Sequence, residues 1–85
     1  MEPLIEVRGL RFRYEDGALA LDGVDFRLHP GETVALFGPN GSGKTTFLLH
    51  LIGLLRGDGE VFVCGKPVRR ENLRFIRRKI GMLFQ

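Results

Sequence analysis

One short stretch of the sequence limits the possible folds more than any other. It consists of Gly38, Pro39, Asn40, Gly41, Ser42, Gly43, Lys44, Thr45 and Thr46. Its spacing, G-x-x-x-x-G-K-[ST], is typical of a phosphate-binding loop. The three glycines let successive backbone N–H groups line one hollow, with no side chain to block a phosphate. Lys44 would add a charge for the β- and γ-phosphates, and Thr45 a hydroxyl for Mg²⁺.

The sequence on either side of this loop supports the interpretation. Residues 33–37 form a short apolar run, which indicates a parallel strand covered on both faces. Residues 46–52 are apolar enough for a buried helix that ends near Gly53. Such a helix would add its unpaired N-terminal N–H groups and the positive end of its dipole to the loop.

Two antiparallel strands are predicted before the loop. Residues 4–14 alternate apolar and charged side chains, and the alternation shifts at Gly9, which predicts a β-bulge there. Residues 24–28 alternate in the same way, so the two strands should form a half-exposed antiparallel sheet. Pro30 and Gly31 suit the central positions of a type II turn that leads to the loop strand.

Three further elements are predicted after the loop helix. Residues 60–64 should form a strand, in which Cys64 is a small packed hydrophobe. Residues 71–78 should form a short amphipathic helix with Leu73 and Ile76 on its apolar side. Residues 80–84 should form one more buried strand.

The composition restricts the class of protein. With 85 residues the chain holds one small domain, and its 44% hydrophobic content suits a globular fold. It has no run of about 20 apolar residues and no signal-peptide pattern at its start, so we expect a cytoplasmic chain. The single cysteine excludes a disulfide framework.

Basic residues are concentrated in the last third of the chain. They are Lys66, Arg69, Arg70, Arg74, Arg77, Arg78 and Lys79. Such a cluster could meet nucleic acid or acidic lipid, but Phe75 is the one aromatic residue among them. We therefore favour the solvated face of a helix and expect no nucleic-acid partner. No chemistry is assigned to His29 or His50, and a core role is expected for His50.

The order of these parts resembles the first portion of an ABC-type ATP-binding subunit. Matching pieces are residues 12–17, residues 20–26, residues 30–32, the phosphate-binding loop and residues 80–85. The sequences of residues 14–17, 47–53 and 81–85 are similar to those of the cobalt/nickel and energy-coupling-factor importers. The resemblance implies an α/β fold: part of a P-loop NTPase core, with parallel strands and the loop helix, plus an antiparallel β subdomain.

The resemblance also implies residue roles and cofactors. Tyr14 would be the A-loop aromatic that stacks on the adenine of ATP. Residues 38–46 would bind its phosphates, with Lys44 as a catalytic charge and Thr45 as a ligand of Mg²⁺. Gln85 would be the Q-loop glutamine, a catalytic residue that contacts Mg²⁺ or the attacking water.

Other parts of such a subunit do not occur in the sequence. These are the Leu-Ser-Gly-Gly-Gln signature, the Asp-Glu strand end (Walker B) and the switch histidine. The resemblance therefore implies that residues 1–85 are an N-terminal fragment of one nucleotide-binding domain, from A-loop to Q-loop, truncated before the helical subdomain. Hydrolysis by this chain alone is not expected. The intact protein would bind a transmembrane coupling subunit and a second ATP-binding subunit at the inner face of the membrane.

Two other functions remain open on the residues alone. A small P-loop kinase acting on a nucleotide or metabolite would share the loop, with the late arginines as its lid. A non-enzymatic basic binding module would instead use residues 69–79, and its affinity for nucleic acid would fall steeply with salt.

Overall fold

The computed structural model of the protein describes residues 2–32 and 44–83. Its strands are β1 (Ile5–Arg13), β2 (Leu19–Leu28), β3 (Asp58–Val63) and β4 (Lys66–Pro67). Its helices are α1 (Lys44–Leu51) and α2 (Leu73–Leu83), the latter preceded by a 3₁₀ turn at Arg70–Asn72. The strands form one sheet in the order β2-β1-β3-β4, and each neighbouring pair is antiparallel. Neither described helix is long and apolar enough to cross a bilayer.

The predicted bulge in β1 is confirmed. The pairing of β1 with β2 shifts between Val7 and Leu10, and Gly9 adopts a φ of 58°. The freed N–H of Gly9 donates to Asp25 Oδ1 at 2.7 Å. The bulge thus restores the inward alternation, so that Ile5, Val7 and Leu10 are all buried.

The core lies between one face of the sheet and the two helices. Its buried residues are Ile5, Val7, Leu10, Leu21, Leu28, Phe47, Leu51, Val63, Ile76 and Ile80. The burial of apolar surface, which contributes about 25 cal/mol per Å², is the main force that holds the helices on the sheet.

The turn before the loop region and the helix end after it both occur where the sequence predicts them. The N–H of Glu32 donates to His29 O at 3.1 Å, and Gly31 has a φ of 86°, as a type II turn requires. Helix α1 ends where predicted, since Gly53 takes a φ of 73° and its N–H donates to His50 O at 3.3 Å.

The predicted strand at residues 80–84 is wrong, because α2 continues to Leu83. Ile76 and Ile80 are four residues apart on one helical face and are both buried, whereas Gly81, Met82 and Leu83 are exposed. A buried parallel strand would need cover on both sides of this segment. The helix predicted for residues 71–78 exists and is longer than expected.

The parallel part of the predicted fold class is not seen among the described residues. All the strand pairs described there are antiparallel, so only the antiparallel β subdomain is confirmed. The predicted loop strand at residues 33–37 lies outside the described residues.

Strand β3 is displaced from its predicted position. It starts at Asp58 and ends at Val63, so Cys64 lies in a turn with Gly65, both with positive φ (51° and 78°). Two such residues form the tight hairpin connection whose twist matches antiparallel strands. Cys64 therefore lies in a turn and not in the predicted strand, but it is half-buried and packs against the core as predicted.

Candidate functional site

Helix α1 packs on the sheet through one face. Thr46, Phe47, His50 and Leu51 are buried on that face, while Thr45 is exposed. The ring of Phe47 meets that of Phe26 on β2 edge-to-face, with centroids 5.4 Å apart. The start of α1, where the Gly-rich loop joins it, is thereby held over the sheet.

The structure brings Tyr14 to the first turn of α1. Tyr14 follows the end of β1, and its hydroxyl lies 2.5 Å from Thr46 Oγ1, although the two residues are 32 positions apart. Its backbone is fixed by a turn in which its N–H donates to Ala18 O at 2.9 Å. The side chain of Tyr14 remains 41% exposed, which leaves ring surface available for a planar ligand.

Two further aromatic rings lie behind Tyr14. Phe12 meets Tyr14 edge-to-face with centroids 5.0 Å apart, and His50 meets Phe12 in the same manner at 4.9 Å. His50 Nδ1 lies 2.8 Å from the Thr46 carbonyl oxygen. Because a carbonyl can only accept, Nδ1 carries the proton in this hydrogen bond.

The remaining predicted site residues are distributed as follows. Lys44 is the first residue of α1, and Thr45 follows with an exposed side chain. Gly38, Pro39, Asn40, Gly41, Ser42, Gly43 and Gln85 lie outside the described residues. The contact of Tyr14 with Thr46 is therefore the part of the predicted site that the structure displays.

The donor set around the start of α1 suits a magnesium nucleotide. Thr45 presents an exposed oxygen, the type of ligand that Mg²⁺ prefers. The first N–H groups of a helix have no acceptor within the helix, so they suit phosphate. The Thr46 hydroxyl is a poorer candidate ligand than that of Thr45, because Thr46 is only 5% exposed and its hydroxyl is already bonded to Tyr14.

Sequence reasoning missed the connection between His50 and the site. It expected a core histidine, and the burial agrees, since His50 is 2% exposed. The available signal was the spacing of four residues from Thr46, which places both side chains on one face of a helix.

The basic residues of the last third are mainly solvent-exposed, as expected. Lys79 is half-buried, and its Nζ lies 5.5 Å from the centre of the Phe75 ring, with Lys66 Nζ at 5.4 Å. Arg77 Nε donates to Ile52 O at 3.0 Å and so ties α2 to the end of α1.

A family described as ABC transporter matches residues 21–85 of the chain. A Streptomyces avermitilis protein named as an ABC transporter ATP-binding protein is 56% identical over 84 residues, which cover 98% of this chain and 32% of that protein. The energy-coupling factor transporter ATP-binding protein of Methanocaldococcus jannaschii is 44% identical over 85 residues, 96% of this chain and 30% of that one.

A solved structure agrees with these relatives. CbiO1 from Clostridium perfringens, part of the ABC transporter complex CbiONQ, superposes with a TM-score of 0.79 and 30% identity. The superposition covers 91% of this chain and 32% of that chain. The chain thus spans about a third of the length of the relatives it matches. These matches favour neither the small P-loop kinase nor the basic binding module, and the chain belongs to the ABC transporter ATP-binding family, close to its energy-coupling-factor and CbiO members.

Proposed function

We propose that the chain binds ATP with Mg²⁺ as part of the nucleotide-binding domain of an ABC-type importer. The observation that carries the proposal is the 2.5 Å contact between the Tyr14 hydroxyl and Thr46 Oγ1. It joins a half-exposed aromatic ring to the helix that follows the Gly-rich loop. An adenine nucleotide needs an aromatic face for its base and a helix N-terminus for its phosphates, and this contact links the two.

Each residue of the proposed site has a distinct task. The ring of Tyr14 stacks on adenine, which gives affinity with little selectivity between bases. Residues 38–46 bind the phosphates, Lys44 carries the positive charge nearest the terminal phosphates, and Thr45 binds Mg²⁺. Gln85 contacts Mg²⁺ or the attacking water. The Mg²⁺ neutralises charge on the phosphates.

The intact protein, in this proposal, uses ATP hydrolysis to power transport. CbiO1 is part of a transporter complex, and the Methanocaldococcus jannaschii relative is named for energy coupling. By analogy the protein works in the cytoplasm at the inner face of the membrane. There it pairs with a second ATP-binding subunit beneath a transmembrane coupling subunit, in a cobalt/nickel or energy-coupling-factor system.

The test compares MgATP with inorganic tripolyphosphate, which has no base, by calorimetry on the full chain. Tyr14→Ala should weaken MgATP binding by about 5- to 150-fold, the equivalent of about 1–3 kcal/mol for one stacked base, and leave tripolyphosphate binding unchanged. Lys44→Ala should weaken both ligands, because both need the phosphate charge partner.

The matched control is Lys66→Ala, which removes the same charge from the exposed β4 strand. It should alter neither affinity. If Lys44→Ala binds MgATP as tightly as the parent chain does, the phosphate-binding assignment is refuted. If Tyr14→Ala weakens both ligands equally, Tyr14 does not bind the base.

A further inference from the structure

We infer that His50 is the positioning residue of the adenine platform: it holds Tyr14 in orientation through Thr46 and Phe12. This inference rests on the proposed function, because the platform matters only if a base stacks on Tyr14. His50 itself has no exposed surface to offer a ligand, since it is 2% exposed. Its effect must therefore pass through its neighbours.

Two contacts orient the Tyr14 side chain. The first is its hydroxyl hydrogen bond with Thr46 Oγ1 at 2.5 Å. The second is the edge of the Phe12 ring, whose plane makes an angle of 84° with that of Tyr14. Within residues 2–32 and 44–83, these two contacts constrain where the face of the ring points.

His50 touches both residues that support Tyr14, Thr46 at its backbone and Phe12 at its ring. Its Nδ1–H donates to the Thr46 carbonyl at 2.8 Å, and its ring meets that of Phe12 at 4.9 Å and 74°. The contacts therefore run from Tyr14 to Phe12, from Phe12 to His50, from His50 to the Thr46 backbone carbonyl, and from the Thr46 hydroxyl back to Tyr14. A displacement of the imidazole moves both supports of Tyr14 together.

The far side of His50 is closed by the chain before β3. A Cβ added at Gly57 would lie 3.2 Å from His50 Nε2 and 2.3 Å from the Arg11 carbonyl oxygen. Gly57 therefore allows this segment to lie against both β1 and the imidazole. The ring is held between this backbone and α1, which prevents it from rotating away from Thr46.

His50 leaves one polar atom without a partner. Nε2 is the single buried side-chain N or O atom without a hydrogen bond in the described part of the chain. With Nδ1 protonated, Nε2 is an acceptor, and a buried unpaired acceptor destabilises the fold. An apolar residue would fill the space without that cost, so the value of a histidine here lies in the bond from Nδ1.

The test uses the fluorescence of Tyr14, because the chain has one tyrosine and no tryptophan. His50→Phe keeps a ring against Phe12 and removes the donor. His50→Asn replaces the ring but keeps an N–H at the Nδ1 position. In the absence of nucleotide, Tyr14 should become more accessible to an uncharged quencher in His50→Phe, and clearly less so in His50→Asn, which keeps the donor and loses only the ring contact with Phe12.

Nucleotide binding gives the second measurement. His50→Phe should weaken MgATP binding by about three- to tenfold, the equivalent of one net hydrogen bond, with no effect on tripolyphosphate. His50→Asn should retain affinity to within about twofold. In a Tyr14→Ala background His50→Phe should cause no additional loss, because the group that it positions is gone.

Three results would overturn the inference. They are unchanged Tyr14 accessibility in His50→Phe, an equal loss of MgATP and tripolyphosphate binding, and a full additional loss in the Tyr14→Ala background. Failure of the proposed function looks different, since the parent chain would then not bind MgATP at all. The quenching measurement without ligand, made where circular dichroism shows both variants fully folded, would still decide whether His50 holds Tyr14.

Discussion

The hydrogen bond between Tyr14 and Thr46 yields the sharpest stability prediction. Tyr14→Phe removes the hydroxyl and keeps the ring, so it isolates this bond. Thr46 is 5% exposed, so its Oγ1 would lose its partner inside the protein and not regain one from bulk water. Leaving a buried hydroxyl unpaired costs about 1–2 kcal/mol. For a domain of this size, about 1 kcal/mol lowers the melting temperature by about 4–8 °C.

Removing the other hydroxyl of this bond, with Thr46→Val, should lower the free energy of unfolding by less. Thr46→Val has nearly the same shape and leaves the Tyr14 hydroxyl behind, but Tyr14 is 41% exposed and can bond to water. We expect Thr46→Val to lower the free energy of unfolding by about 0.5 kcal/mol. In the double variant the two losses should not add, with a coupling of about 1 kcal/mol. Urea unfolding of the four chains measures this coupling, and additive losses would show that the bond contributes nothing to stability.

Three other predictions concern residues outside the candidate site. Gly59→Ala should destabilise by about 2 kcal/mol or more, since Gly59 has a φ of 104° and its Cβ would lie 2.5 Å from a β1 carbonyl; urea unfolding measures it. Gly81→Ala is the matched control: it meets nothing within 4 Å and should stabilise α2 by about 0.5–1 kcal/mol, whereas a loss of helical circular dichroism would contradict the helix at this position. The N–H of His29 and then its side chain lower the pKa of Glu32 below its usual 4.5. Stability from this carboxylate is therefore present above about pH 4.5 and is lost as the pH falls through the lower folded pKa; a pH series of melts should show that acid dependence reduced in Glu32→Gln.

Local sequence chemistry determined much of the sheet. The phase shift at Gly9 indicated the bulge, because a one-residue insertion is the simplest way to return an alternating strand to its buried side. Pro30 and Gly31 indicated the type II turn, because few other pairs adopt its two backbone conformations. These features depend on neighbouring residues, which a sequence displays directly.

The segment at residues 80–84 shows where local reasoning was insufficient. Its apolar run is compatible with a buried strand and with the end of an amphipathic helix, and periodicity over so few residues does not separate the two. The choice depends on what the segment packs against. In the structure Ile80 joins Ile76 in the core and the helix continues.

Sequence alone determined the Gly-rich loop with Lys44 and the apolar helix that follows it, because spacing and composition carry these features, and the family resemblance implied Tyr14 as the candidate aromatic. Only the tertiary structure decided that Tyr14 meets Thr46, and that His50 contacts both the Thr46 backbone and the ring of Phe12. Residues 32 positions apart come together only when β1 and α1 pack on the same core, and the resulting distances depend on the whole fold.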